Sequence, residues 1–172
     1  KTYLAKNLQQ ENWKAIREDL NKRPVEGMDG SASDEQIAVL LEKYGISKGT
    51  LQLWGTGAPM REFLWSEEMA DATVFVMEKV NFEDLIQDKN EIRNCHINIG
   101  TGKEISIREL SELVAKTVGF EGSIHFDSTK PDGTMRKLID VSKLNALGWK
   151  HQIEIEEGVK KLFEWYVAGL SL

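Results

Sequence analysis

The sequence predicts an α/β fold of short strands with packed helices, and three observations carry that reading. Apolar residues recur at helical spacing in several segments, two of which open on Ser-x-x-Gln or Ser-x-x-Glu capping boxes. Between the helical segments lie short runs with the alternation or the apolar density of strands, such as Leu51-Gln-Leu-Trp and Cys95-His-Ile-Asn-Ile. Glycine and proline turns separate them, without the long regular series of a complete Rossmann sheet. A subdomain is therefore expected rather than a whole dinucleotide-binding fold.

In order along the chain, residues 1–22 read as one helix, because Leu4, Leu8, Ile16 and Leu20 recur among Lys, Arg, Glu and Gln. Residues 23–33 are a loop containing Pro24, Gly27 and Gly30. Ser33 and Gln36 then cap a helix over 34–43 that Gly45 stops. A strand at 51–54 runs into the turn Gly55-Thr-Gly-Ala-Pro59 and an extended stretch at 61–65, before Ser66 caps a helix to about Lys79. A strand at 95–99, a tight turn at 100–102 and a helix opened by Ser106 and Glu109, ending near Val118, come next. A strand at 123–126, a polar loop at 127–134, an extended piece at 136–139, a small helix ending at Gly148 and an amphipathic helix at 155–167 complete the series.

Composition excludes several function classes. The formal net charge of −6 repels a phosphate backbone, and no basic run interleaved with aromatics offsets it, so nucleic acid is not an expected partner. The single Cys95 rules out an intrachain disulfide and a cysteine-based metal site, and no stretch is apolar for long enough to span a membrane. A cytoplasmic setting is expected. Lys1-Thr-Tyr-Leu carries no initiator Met and no signal peptide, so the chain is expected to be a fragment of a longer protein.

Two segments can carry chemistry. In Trp54-Gly-Thr-Gly-Ala-Pro-Met-Arg61 an aromatic ends a strand, glycines turn the backbone, and a guanidinium follows that can meet two phosphate oxygens at once. Alternatively, Trp54 is core and Arg61 pairs with a surface carboxylate. In Lys130-Pro-Asp-Gly-Thr-Met-Arg-Lys137 a turn presents Asp132, whose carboxylate can accept from sugar hydroxyls, beside Lys130, Arg136 and Lys137. A solvated turn is the other reading.

Several apparent motifs fail on their own terms. Gly100-Thr-Gly-Lys-Glu lacks the third glycine of a dinucleotide fingerprint, and Glu104 stands where a phosphate loop needs Ser or Thr. Tyr44 and Lys48 have the spacing of a catalytic tyrosine-lysine pair, but Gly45 and Gly49 bracket them at a helix end. His96, His125 and His151 lack a second ligand at metal spacing, and Cys95 reads as an inert residue on a strand.

Taken together, Leu-Trp-Gly-Thr-Gly-Ala-Pro-Met-Arg-Glu-Phe-Leu, Asn98-Ile-Gly-Thr-Gly with Ile107-Arg-Glu-Leu, and Lys130-Pro-Asp-Gly-Thr-Met-Arg-Lys-Leu with Asp140-Val-Ser-Lys-Leu resemble GDP-L-fucose synthases in the same order. These are extended short-chain dehydrogenases/reductases that epimerise GDP-4-keto-6-deoxy-D-mannose at two ring carbons and reduce its ketone with NADPH. The resemblance runs from about Leu51 to Tyr166. It implies that the chain is the C-terminal, GDP-sugar-binding subdomain, with the Rossmann half missing. By it, Trp54, Arg61, Asp132 and Lys137 match substrate-binding positions, Arg61 and Lys137 at the diphosphate and Asp132 at hydroxyls, and Lys1 matches a further basic contact.

The same resemblance places every catalytic and cofactor-binding residue upstream of Lys1 and assigns NADPH to the full-length enzyme alone, and the spacing of the histidines and the single cysteine leads to no expected metal. It implies the N-terminal Rossmann half and a second copy in a homodimer as partners, and an inactive isolated fragment. Met135 departs from the family's usual Pro, and Trp65-Ser-Glu-Glu from its more usual residues. The segment 7–48 is longer than the family leads one to expect, so residues 1–50 read as a truncated element with a helical insertion and 51–172 as the GDP-sugar-binding subdomain. Two other readings stay open: the substrate domain of another nucleotide-sugar epimerase or dehydratase, and a non-enzymatic interaction module.

Overall fold

A computed structural model of the protein describes residues 1–86 and 92–170. Helices alternate with short strands, as the sequence predicts, and the chain divides into two compact units. Unit 1 comprises Lys1–Pro59, Ser106–Met135 and Val159–Leu172, and unit 2 comprises Met60–Ile105 and Arg136–Gly158. Residues 1–50 thus share a unit with the Trp54 strand and do not stand apart from all of 51–172.

Unit 1 opens with α1 (Thr2–Gln9) and α2 (Trp13–Lys22), where a single helix was expected. On one continuous helix Leu4 and Leu20 would point about 160° apart. With the break, Leu4, Leu8, Ile16 and Leu20 are all buried in one core. The break is made by Glu11 at φ +55° and by Asn12, whose side chain caps α2 by accepting from Ala15 N at 3.2 Å. The loop that follows is held by Arg17, which donates to Gly30 O at 2.5 Å, Ala32 O at 2.6 Å and Asp34 Oδ1 at 2.5 Å.

The helix α3 (Asp34–Lys43) starts on the expected Ser33–Gln36 capping box, and Gly45, at φ +75°, follows its C-cap Tyr44. The chain then doubles back through β1 (Ile46–Ser47) into β2 (Thr50–Trp54), paired antiparallel. In the same unit, α6 (Ile107–Val118) carries the expected Ser106–Glu109 box and ends on Gly119 in the left-handed conformation, a low-cost C-cap for a residue without Cβ. It leads to β5 (Ser123–Asp127), which lies parallel to β2 with Trp54 opposite Asp127. The order β1-β2-β5 places Leu51 and Ile46 on the core beside Ile37, Leu41, Ala115 and Phe120.

A buried polar knot closes this unit. Asp19, 4% exposed, accepts from Arg23 Nη1 at 2.6 Å and from Tyr166 OH at 2.5 Å, and the Arg23 guanidinium lies 4.1 Å from the Tyr166 ring centroid. Burial first, and then the bond to Asp19, push the Tyr166 phenol well above the usual tyrosine range. The folded chain therefore holds this proton more tightly than the unfolded one. The associated stability is fully present below the unfolded pKa of about 10 and is lost as pH rises from there towards the folded value. Tyr166→Phe should flatten the alkaline decline of the urea midpoint. A smaller slope should remain, because the Tyr3 and Tyr44 phenols are also shifted upwards.

Unit 2 contains α4 (Ser66–Lys79) and α7 (Ser142–Ala146), which contribute to a small core of Ala72, Leu144 and Trp149, and α5 (Phe82–Ile86), which buries none of its residues. Met60–Arg61 (β3) and Ile105–Ser106 (β4) pair as a short ribbon, and α8 (Ile155–Ala168) follows the Gly148 turn. The carboxylate of Glu68 accepts from the backbone N–H groups of Gln152 and Ile153, and Trp149 Nε1 donates to Asp71 at 2.7 Å.

Two sequence expectations are corrected in this unit. The segment 95–99 is not a strand, since among the described residues it has no ladder partner. Ile97 and Ile99 do pack on the small core, and Lys143 Nζ satisfies the carbonyls of Asn94 at 2.6 Å and His96 at 2.7 Å. Ser66 is the first residue of α4 rather than its cap; Trp65 holds the N-cap position and offers no side-chain bond. Among the described residues, no helix is long and apolar enough to cross a membrane.

Candidate functional site

The turn after β2 is built around two glycines and one carboxylate. Gly55 at φ +80° and Gly57 at φ +77° occupy the left-handed region, and Gly55 N donates to Asp127 O at 3.0 Å, continuing the β2–β5 pairing. Asp132 accepts from Thr56 N at 2.9 Å and from Thr56 Oγ1 at 2.6 Å, and these bonds, the side-chain one first, hold its carboxyl below the usual aspartate range. Arg108 Nη2 donates to Thr56 O at 2.7 Å, with its guanidinium 4.2 Å from the Phe126 ring centroid. Asp132 therefore fastens the turn that follows Trp54, and it keeps spare lone pairs because a carboxylate has about four acceptor sites.

The turn leaves the Trp54 indole 73% exposed, which removes the reading of this residue as core. Lys130 Nζ lies 5.8 Å from its ring centroid. Beside them opens a cleft of about 460 Å³ that Lys1, Trp54 and Lys130 line together with Glu42, Tyr44 and Gln52. Its floor residue Asp127 is internally satisfied, accepting from Thr129 Oγ1 at 2.5 Å, from Thr129 N at 3.1 Å and from Gln52 Nε2 at 3.1 Å. The Thr129 bond is the main reason the Asp127 carboxyl sits below its ordinary range. Among the described residues, neither Lys1 nor Lys130 forms a direct ion pair, although the Lys130 charge helps to hold the Asp127 carboxyl down, so this face offers two ammonium groups without a bonded carboxylate beside an exposed aromatic. Such a set can take an anionic, planar ligand.

Arg61 and Lys137 belong to unit 2. Arg61 Nη1 donates to Met60 O at 2.6 Å, and among the described residues no carboxylate pairs with it, against the reading in which a surface carboxylate neutralises it. Lys137 is exposed, whereas its neighbour Arg136 is paired with Glu104 at 2.9 Å. The loop's cations are therefore not equivalent: among the described residues Lys130 and Lys137 form no direct ion pair, and Arg136 does.

The residue that sequence reading missed is Glu62. Its Oε1 accepts from Thr101 N at 2.5 Å and from Gly102 N at 2.8 Å, filling the amide pocket of the Gly100-Thr-Gly turn. A turn whose amides already bind a carboxylate does not cradle a pyrophosphate, so the chain's own residues do not fit a dinucleotide there. The only sequence signal was an acidic residue directly after Arg61. Tyr44 is likewise no proton donor beside Lys48. Its hydroxyl donates to Glu26 at 2.8 Å, which raises its pKa, and Lys48 pairs with Glu11. Among the described residues, no three His, Cys, Asp or Glu side chains gather as metal ligands; His151 Nε2 sits 3.4 Å from Glu154.

Comparison with known proteins identifies relatives. The NAD dependent epimerase/dehydratase family model matches residues 25–100. GDP-L-fucose synthase 1 of Arabidopsis thaliana is 45% identical over 118 residues, covering 69% of this chain and 33% of that protein. Among solved structures, a GDP-6-OMe-4-keto-L-xylo-heptose reductase from Campylobacter jejuni superposes with a TM-score of 0.87 at 41% identity, covering 98% of this chain and 46% of that one. A GDP-mannoheptose C4 reductase from the same organism, with NADP bound, gives 0.79 at 39% identity, covering 96% and 44%. The chain thus spans about a third of the curated relative and under half of the solved ones.

Proposed function

We propose, from the premise that this chain is homologous to GDP-L-fucose synthases over most of its length and carries the NAD dependent epimerase/dehydratase match, that it is the GDP-sugar-binding part of such an enzyme. The observation that carries the reading is the cleft where Lys1, Trp54 and Lys130 meet from distant parts of the sequence, with Lys130 over the Trp54 ring. In the whole protein Arg61 and Lys137 add positive charge for the diphosphate, and Asp132 holds the Trp54 turn while offering its remaining lone pairs to a sugar hydroxyl. The reaction proposed is epimerisation at two carbons and NADPH-dependent reduction of GDP-4-keto-6-deoxy-D-mannose. The remainder of the protein, a Rossmann half, would hold the NADPH that supplies hydride, and the whole enzyme would be a cytoplasmic homodimer. The residues of this chain bind and orient the sugar nucleotide, so their contribution is positioning.

A second reading changes only the sugar. The heptose reductase is 41% identical to this chain, close to the 45% of the Arabidopsis synthase, and superposes on 98% of it. That likeness supports a GDP-linked ketosugar other than the 6-deoxy-mannose derivative as an alternative substrate. Turnover of the two ketosugars by the whole protein separates the readings.

Calorimetry on this chain should give weak GDP binding, no NADPH binding and no turnover, because on this reading the Rossmann half supplies the NADPH site and the remaining contacts to the sugar end of the ligand. In the whole protein Arg61→Ala should weaken GDP-sugar binding by about 1.5–3 kcal/mol, the range for a hydrogen bond to a charged group. Tight NADPH binding or ketosugar reduction by this chain alone would overturn the proposal. Absence of any nucleotide binding by the whole protein would favour an interaction module.

A further inference from the structure

The cleft has a second wall that the resemblance to fucose synthases does not account for, the end of α3. Tyr44 is fixed there at both ends: its backbone N–H donates to Leu41 O at 3.0 Å, and its hydroxyl donates to Glu26 Oε1 at 2.8 Å. Glu26 is itself held by Lys43 Nζ at 2.6 Å, on the turn where Val25 and Met28 bridge. The adjoining Gly45 O accepts from Gln52 N at 2.6 Å, so the wall is tied to β2, the strand that delivers Trp54. Glu42, one residue before Lys43, is exposed, and among the described residues its carboxylate has no partner.

The cleft therefore presents two aromatic side chains, one at the end of α3 and one at the end of β2, the ammonium groups of Lys1 and Lys130, the carboxylate of Asp127, which is bonded to Thr129 and Gln52, and the carboxylate of Glu42, which has no partner among the described residues. Aromatic faces suit a base, and ammonium groups suit phosphates. A carboxylate is an acceptor only, and it discriminates among bases by the donors on their edges. The Watson–Crick edge of guanine offers two adjacent donors, N1–H and the 2-amino group. Uracil offers one, and adenine offers its amino group beside an acceptor nitrogen.

We propose that Glu42 and Tyr44, at the end of α3, are specificity determinants that select guanine in the nucleotide sugar, Glu42 accepting from its donor edge and Tyr44 flanking its ring. This rests on the reading of the cleft as the nucleotide site. It assigns the helical segment a function: it brings a base-selecting wall to a site whose other wall is Trp54 and Lys130.

The test is titration of this chain with GDP, UDP and ADP, followed by calorimetry and by NMR shifts of the Trp54 indole N–H and of the backbone amides at 42–45. GDP should move both sets of signals. Glu42→Gln, which keeps the shape but adds a donor, should weaken GDP about 10-fold and leave UDP unchanged, since a buried polar edge left unmatched is what rejects a ligand. Tyr44→Ala should weaken GDP, and Tyr44→Phe, which loses only the bond to Glu26, should bind more nearly as the wild type. If Trp54→Ala abolishes binding while Glu42→Gln and Tyr44→Ala leave the GDP to UDP ratio unchanged, this inference falls and the nucleotide site stands. If millimolar GDP moves neither set of signals, the cleft is not the nucleotide site and both fall. Should Tyr44→Ala unfold, Glu42→Gln, on an exposed side chain, still decides.

Discussion

Gly57→Ala is expected to destabilise unit 1 by about 3 kcal/mol or more, from left-handed strain and overpacking together. At φ +77° an alanine carries a conformational penalty of its own, and its Cβ would lie 2.6 Å from Phe126 Cε1 and 2.8 Å from Cζ. The ring has little room to yield because the Arg108 guanidinium stacks on it at 4.2 Å and is itself tied to Thr56 O. Urea unfolding measures the loss as a fall in midpoint at unchanged slope. Gly49→Ala is the control, since its φ is +78° but nothing lies within 4 Å of the added Cβ. It should show the backbone penalty alone, roughly 1–2 kcal/mol. The substitution also reaches the site, because the turn it distorts exposes Trp54; a Gly57→Ala chain that still folds should bind GDP more weakly than the wild type.

Ile16→Ala should cost about 2–5 kcal/mol, the range for removing a large buried aliphatic side chain, with the higher figures applying where the cavity cannot collapse. Ile16 is 0% exposed and sits in the core with Leu4, Leu8 and Leu20, so its loss is felt by both helices that flank the break at Asn12. Ile16→Val should cost about 0.5–1.5 kcal/mol. Val39→Ala, on α3 but 68% exposed, should stay within about 0.5 kcal/mol of the wild type. Thermal or urea unfolding separates the three. If Ile16→Ala matched Val39→Ala, the assignment of this core would be wrong.

The parts of the fold that were legible in the sequence are those decided by nearest neighbours. The capping boxes Ser33–Gln36 and Ser106–Glu109 form as expected, because both partners lie within one turn and their bonds need no distant residue. The strands at 51–54 and 123–126 were visible in their side-chain pattern, although their parallel pairing was not. The resemblance to a family was legible for a related reason: its motifs are short contiguous runs around turns.

What only the tertiary structure decided are matters in which a distant group competes with a local preference. Helical periodicity over residues 1–22 is real, but burying both Leu4 and Leu20 in one core requires the break that Glu11 and Asn12 supply. The pattern at 95–99 is that of a strand, yet Lys143 takes the carbonyl of His96 and that of Asn94 just before the segment, and, among the described residues, no neighbouring strand pairs with it. Glu62 fills the amide pocket of the Gly100-Thr-Gly turn, a partner that nothing local to that turn announces, and Asp132 spends bonds on Thr56 before any hydroxyl arrives. Sequence by itself determined which residues carry charge, aromatic surface and turn geometry, since those are properties of the residues and their immediate neighbours. The folded chain decided which of those charges are already ion-paired: among the described residues Arg136 is bonded to Glu104 and Arg61 and Lys1 have no bonded carboxylate, because a carboxylate within reach is set by packing between segments far apart in the chain.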